Sequence, residues 1–184
     1  WQKRKVFALL SREINDLYGK TLGIIGKGSI GMKVGRIAKA FGMNINYFSV
    51  RNYKKTQFLK FLSSLDYLSI HCPLNEKTKD LITIKELKIM KKNMILINTA
   101  RGGIVNENDL AKAIKQKIIA GSGIDVTTSE PPKKSHAYYS ILNEANFIWT
   151  PHTAWASNET LQEAINQLIK NINSFYKGRK RNIV

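Results

Sequence analysis

The chain has 184 residues, 43% hydrophobic and 23% charged, which suits one globular domain with a sizeable core. No apolar run reaches the ~18 residues of a membrane span, and the single cysteine, Cys72, excludes an intrachain disulfide and a cysteine-based zinc cluster. The net charge of +17 comes from basic residues that are dispersed, with tight clusters only at 51–55 and 177–181 and no zinc-finger or aromatic RNA-binding motif beside them. A solvated lysine-rich surface is expected, not a nucleic-acid partner.

Trp1 stands where a start Met would be, so the polypeptide is expected to begin upstream. Residues 1–18 read as a helical or extended lead-in. From there short β-like runs alternate with helical patterns, the mark of a parallel α/β sheet. The strands are expected at 21–25, 44–48, 67–72, 94–98, 121–126 and 147–150. Their Ile, Val and Leu content without clean alternation suits strands covered on both faces.

Between the first two strands, Ile30, Val34, Ile37, Ala38 and Phe41 recur at helical spacing and Gly42 is a natural stop. Thr83 with Glu86 reads as a capping box before Leu87 and Met90, and Asn106 with Asp109 does similar work before Leu110, Ala113 and Ile114. A last long helix is expected over 157–176, with Leu161, Ala164, Ile165, Leu168 and Ile172 as its apolar stripe. No internal repeat is present.

The run from Gly23 to Gly31 is a strand, a glycine turn and a helix start, with G-x-G-x-x-G at Gly26, Gly28 and Gly31. Gly26 permits the turn, Gly28 lets backbone approach a pyrophosphate, and Gly31 lets the helix pack close to the strand. The free N–H groups that open the helix, around Ser29 and Ile30, then face the phosphates. Where an NAD-specific site often carries an acid at the end of the second strand, this chain has Ser49 followed by Arg51. Ser49 removes a charge that would repel a 2′-phosphate and Arg51 can pair with one. NADP is therefore favoured over NAD.

Five further runs complete a pattern: Leu22-Gly23-Ile24-Ile25-Gly26, His71-Cys72-Pro73-Leu74, Asn98 to Val105 (NTARGGIV), Gly123-Ile124-Asp125-Val126, and Thr150-Pro151-His152-Thr153-Ala154-Trp155. In this order they resemble the D-isomer-specific 2-hydroxyacid dehydrogenases, and the stretch 154–157 looks most like the glycerate dehydrogenase, or hydroxypyruvate and glyoxylate reductase, branch. The resemblance implies a Rossmann-like, doubly wound parallel sheet. It also implies hydride transfer between NAD(P)H and C2 of a small 2-keto or 2-hydroxy acid. Arg101 would hold the substrate carboxylate and keto oxygen, His152 would move the proton, and Glu130 would fix the imidazole and favour its protonated form. By the same resemblance Asp125 contacts the nicotinamide carboxamide, Thr99 and Ala100 line the nicotinamide side, and Cys72 and Pro73 line the adenosine side. Cys72 is read as a packed side chain, His71 and His136 as structural, and no cluster has metal-ligand spacing.

The family's fold has a second, substrate-binding domain, and only some 16 to 20 residues precede the first strand here (about a tenth of an ordinary domain's length). The chain is thus expected to be a single domain: a hinge segment at 1–18, a dinucleotide-binding domain at 19–156 and a crossing helix at 157–184, poorly active by itself. A homodimer in the cytoplasm is expected, without membrane association. Two other classes stay open: a nucleotide-sensing binding module, and an inactive truncated product whose fold survives.

Overall fold

The structure, a computed structural model, describes residues 14–183. The apolar runs form six strands: β1 (Thr21–Ile25), β2 (Asn44–Phe48), β3 (Tyr67–Ile70), β4 (Ile95–Asn98), β5 (Gly121–Ile124) and β6 (Phe147–Trp149). All pair in parallel, in the order β2-β1-β3-β4-β5-β6. The helices are α1 (Ser29–Ala40), α2 (Lys55–Ser63), α3 (Ile84–Leu87), α4 (Glu107–Lys115) and α5 (Asn158–Tyr176). This is the expected Rossmann-like α/β sheet. Because β1 lies between β2 and β3, the chain reverses its direction of travel across the sheet there. The crevice at the carboxyl ends of β1 and β3 is where such sheets bind ligands.

Alternation along β1 sends its side chains to opposite faces. Leu22 and Ile24 pack with Ala38 and Met43 under α1, whereas Ile25 joins the larger core with Phe58 and Leu62 of α2, Leu87 of α3, and Leu110 and Ile114 of α4. Helix α2 was not foreseen. It lies beside the basic cluster at 51–55, and its Phe58 and Leu62, one turn apart and both fully buried, are the signal it carries. A short 3-10 turn at Ala137–Ile141, which buries Tyr138 and Ile141, was also not foreseen.

The expected apolar stripe of α1 is only in part its buried face. Ala38 is buried and Val34 packs against the same cluster, but Ile30, Ile37 and Phe41 are more than half exposed, and Gly31 and Gly35 complete the buried face. Small residues face the sheet because the helix sits so close. A Cβ on Gly31 would lie 2.1 Å from the Gly26 carbonyl oxygen, and one on Gly35 would lie 2.1 Å from the Tyr47 hydroxyl. Similarly, no residue of α5 is buried, so its apolar stripe has no cover among the described residues.

The capping box at Thr83 forms: Glu86 accepts the Thr83 N–H at 3.0 Å, although the helix ends at Leu87, short of Met90. Asn106 caps α4 by accepting the Asp109 N–H at 3.1 Å. Asp109 does not reach back to Asn106; it accepts the Ile84 N–H at 2.9 Å and so caps α3. The expected strands at 67–72, 121–126 and 147–150 overshoot. Their last residues leave the sheet and become the site loops. Most of the lead-in 1–18 lies outside the described residues, and 14–18 contain neither helix nor strand. No helix among the described residues is long and apolar enough to cross a membrane.

The glycine turn separates two kinds of constraint. Gly31→Ala should destabilise the fold by at least ~1–3 kcal/mol, the usual cost of overpacking against groups that cannot move. A Cβ on Gly28 meets nothing within 4 Å, and its φ of −86° is ordinary, so Gly28→Ala should stay within about 0.5 kcal/mol of the parent. Urea denaturation of the two variants measures the contrast.

Candidate active site

The glycine turn is built against the end of β3. Gly26 has φ +101°, and a Cβ there would meet the His71 carbonyl oxygen at 2.5 Å and the Cys72 nitrogen at 2.8 Å. Gly28 is the N-cap of α1; no side chain caps the helix, and its first turn contains no acid. The exposed N–H groups and the positive helix end therefore present an anion-binding surface at the crevice, and the space beside Gly28 is what a phosphate needs. The residues present fit a dinucleotide.

The crevice continues as a cleft of about 770 Å³. Of the residues named from sequence, Ile30, Cys72, Pro73, Thr99, Ala100, Arg101, Asp125 and His152 line it; so do His71, read as structural, and Leu74, Ala154 and Trp155, to which no role was given. Burial pushes the Cys72 thiol up to about 11, which suits a packed side chain and not a nucleophile. Burial lowers the His71 pKa, and its Nε2 lies 2.8 Å from the Ser69 hydroxyl.

Ser49 and Arg51 lie elsewhere. Ser49 is exposed ahead of a short 3-10 turn, and Arg51 lines a separate shallow depression with Val50, Asn75, Glu76 and Lys77. The turn at Val50–Asn52 carries Arg51 off the strand end. The depression holds one carboxylate, Glu76, and the cation Lys77 beside Arg51.

Arg101 is placed by a buried asparagine. Asn98, 2% exposed at the end of β4, donates to the Arg101 carbonyl at 2.9 Å and accepts the Ala100 N–H at 3.0 Å. Gly102 then presses on the next loop, since a Cβ there would lie 2.0 Å from the Thr127 carbonyl carbon. The Asn98 role was missed. Its signal was a polar residue closing an apolar strand.

His152 and Glu130 meet across 22 residues, with Nδ1 2.6 Å from Oε2. The other Glu130 oxygen accepts the Thr127 N–H at 3.0 Å. The hydrogen bond from His152 is the main cause holding the Glu130 carboxyl below its usual range; partial burial opposes it, and the Thr127 N–H and the His152 and Arg101 charges add to it. Glu130 is therefore ionised at neutral pH. Nε2 has no protein partner among the described residues, and the ring borders the cleft. Glu130 and His152 together border a second cavity of about 550 Å³, walled also by Pro131, Pro132, Tyr139 and Trp149.

Asp125, 4% exposed, holds the histidine turn in place. It accepts the Thr150 hydroxyl at 2.5 Å and the Thr153 and Ala154 N–H groups at 2.9 Å each. Burial would push this carboxyl up, but the bonds from Thr150, Ala154 and Thr153, with the nearby His152, outweigh burial and hold it below the ordinary value. No group of His, Cys, Asp and Glu among the described residues could hold a metal ion.

The profile of the D-isomer specific 2-hydroxyacid dehydrogenase NAD-binding domain matches residues 1–154. A glycerate dehydrogenase of Methylorubrum extorquens is 42% identical over all of this chain and 59% of its own length. A glyoxylate reductase of Thermococcus litoralis is 39% identical over 88% of this chain and 50% of its own length. The crystal structure of a D-isomer specific 2-hydroxyacid dehydrogenase from Lactobacillus delbrueckii ssp. bulgaricus, in NAD-complexed form, superposes with a TM-score of 0.85 and 30% identity. That match covers 97% of this chain and 60% of the crystallised one. The chain thus spans half to three fifths of the length of these relatives. It belongs to the D-isomer-specific 2-hydroxyacid dehydrogenase family, as the NAD-binding domain.

Proposed function

We propose that the chain is the cofactor-binding part of an oxidoreductase that reduces a small 2-keto acid, hydroxypyruvate or glyoxylate, to the 2-hydroxy acid. The observation that carries this reading is the 2.6 Å Glu130–His152 contact, which holds His152 at the cleft that Arg101 and Ile30 of the uncapped α1 end also line. Gly26, Gly28, Ser29, Ile30 and Gly31 would hold the pyrophosphate, and Thr99 and Ala100 would flank the nicotinamide. When bound, the nicotinamide exchanges a hydride with C2. Arg101 would hold the carboxylate with a planar, permanently charged fork. His152 would give a proton from Nε2 to the C2 oxygen as the hydride arrives, or take one in the reverse direction. Ionised Glu130 keeps the Nδ1 proton in place and favours the charged ring. Asp125, with both carboxylate oxygens already bonded within the protein, would serve the nicotinamide side mainly by fixing the 150–154 turn.

We read the cofactor as NADP in preference to NAD. Ser49 brings no negative charge, and Arg51 and Lys77 share one depression. Glu76 in that depression works against an incoming phosphate, so the preference rests on two cations against one carboxylate.

Three outcomes are expected. Calorimetry should show that the chain binds a nicotinamide dinucleotide, and Gly28→Ala, with its fold intact, should weaken binding about tenfold or more, a loss of ~1.4 kcal/mol. No binding of any of the four cofactor forms at millimolar concentration would overturn the reading. Arg51→Ala should cost NADPH about tenfold or more, the lower range of a charge-assisted hydrogen bond at ~1.5 kcal/mol, and leave NADH nearly unchanged. Equal effects on both would make Arg51 an ordinary surface cation. Finally, in an enzyme that includes the substrate domain, reduction of hydroxypyruvate should fall as pH rises and the Glu130–His152 pair loses its proton, while oxidation of glycerate rises over the same window. Removing the negative charge with Glu130→Gln makes the ring easier to deprotonate, so both profiles should move to lower pH. Steady-state rates across pH measure this, and unmoved profiles would mean that another group is the acid.

A further inference from the structure

Behind the acid lies a second Glu–His pair. Glu107, the first residue of α4, sits 2.7 Å from His136, Oε2 to Nε2, with side chains only 11% and 8% exposed. His136 Nδ1 accepts the Tyr138 N–H, so the ring's proton is on Nε2 and is donated to Glu107. The same carboxylate accepts the Thr128 N–H at 2.7 Å and the Thr128 hydroxyl at 2.8 Å. Thr128 and His136 bracket the segment 129–135, which carries Glu130. One partly buried carboxylate therefore fastens both ends of that segment. The neighbouring Thr127 N–H is the donor that orients Glu130. On its other side the His136 ring stacks on Trp149, with centroids 5.6 Å apart and planes 22° apart. Trp149 precedes Thr150, which donates to Asp125 at the root of the His152 turn. The two segments that deliver Glu130 and His152 thus both rest on the Glu107–His136 pair.

We propose that Glu107 is a positioning residue for the proton-transfer pair: by bonding Thr128 and His136 together, it sets the approach of Glu130 to His152. The inference rests on the reading of Glu130 and His152 as the acid pair, but its test does not need turnover. A partly buried carboxylate with several charge-assisted bonds is stiff, and losing its charge weakens all of them at once. The segment it releases begins one residue before Glu130.

The test uses ring-labelled histidine and nuclear magnetic resonance. The chain has three histidines, at 71, 136 and 152, so each ring signal is assigned by single substitution. The charged groups facing His152 are Glu130 and Asp125, with Arg101 acting on Glu130; those facing Glu107 are His136 and the Tyr138 hydroxyl, which burial keeps neutral. Glu107→Gln should move the His152 titration midpoint to lower pH, in the direction of Glu130→Gln. The double variant should move it no further than Glu130→Gln alone. An unmoved midpoint in folded Glu107→Gln overturns the proposal. If that variant does not fold, Thr128→Val, which removes only the hydroxyl bond, decides: a smaller shift in the same direction supports the proposal, and none overturns it. Phe58→Leu on α2 is the control for a general loss of stability, and an equal shift there also overturns it. Dinucleotide binding, measured on the same samples, should survive Glu107→Gln. A parent chain that binds no dinucleotide would sink the proposed function while the titration still reads the pair.

Discussion

The site depends on one buried carboxylate. Asp125 leaves β5 at its carboxyl end and collects the Thr150 hydroxyl and the backbone N–H groups of Thr153 and Ala154. Its own N–H is given to the Asn98 carbonyl of β4. An ionised carboxylate can be buried only when it is fully hydrogen-bonded. The donors come from the histidine turn, so the turn must be in place for Asp125 to be buried at all. Burial of Asp125 and placement of the 150–154 turn are therefore coupled.

The neighbouring strand repeats the device with a neutral group. Asn98 ends β4 buried and ties the Ala100–Arg101 backbone to itself. Gly102 then abuts the Thr127–Thr128 backbone, so the arginine loop and the glutamate loop share a surface with no room for a methyl group. Parallel strands make this possible because all their carboxyl ends lie on one edge. Residues distant in sequence, at 26, 101, 125, 130 and 152, are gathered there without a long excursion of the chain.

Much of this was legible in the sequence, for identifiable reasons. The strands show as Ile- and Leu-rich runs because both faces of the sheet are covered, and the Thr83 cap is a local pattern. What misled was distance and size. The α1 stripe of Ile30, Ile37 and Phe41 looked like a core face, but the close approach to β1 is made by Gly31 and Gly35, which contribute nothing to an apolar count. Helix α2 was not foreseen although Phe58, Phe61 and Leu62 stand at helical spacing just after the basic cluster at 51–55. The cleft residues were identified through a motif resemblance, which groups residues that meet only in three dimensions. The same motifs gave no sign that Glu107 bonds to Thr128 and His136, because those partners lie 21 and 29 residues away in a stretch without periodicity. Arg51 was placed by its position after a strand, and the turn that follows the strand carries it away from the main cleft.

His152 itself has φ +52°, in the left-handed region that side-chain-bearing residues seldom occupy. Histidine is, with asparagine and aspartate, among the few such residues enriched there. The turn therefore accepts the ring on the terms it would offer an asparagine, whereas a β-branched side chain would be strained. On the proposed reading of His152, a chain that dropped the reaction would exchange the ring for asparagine or aspartate at little cost to the backbone, and keep its dinucleotide crevice.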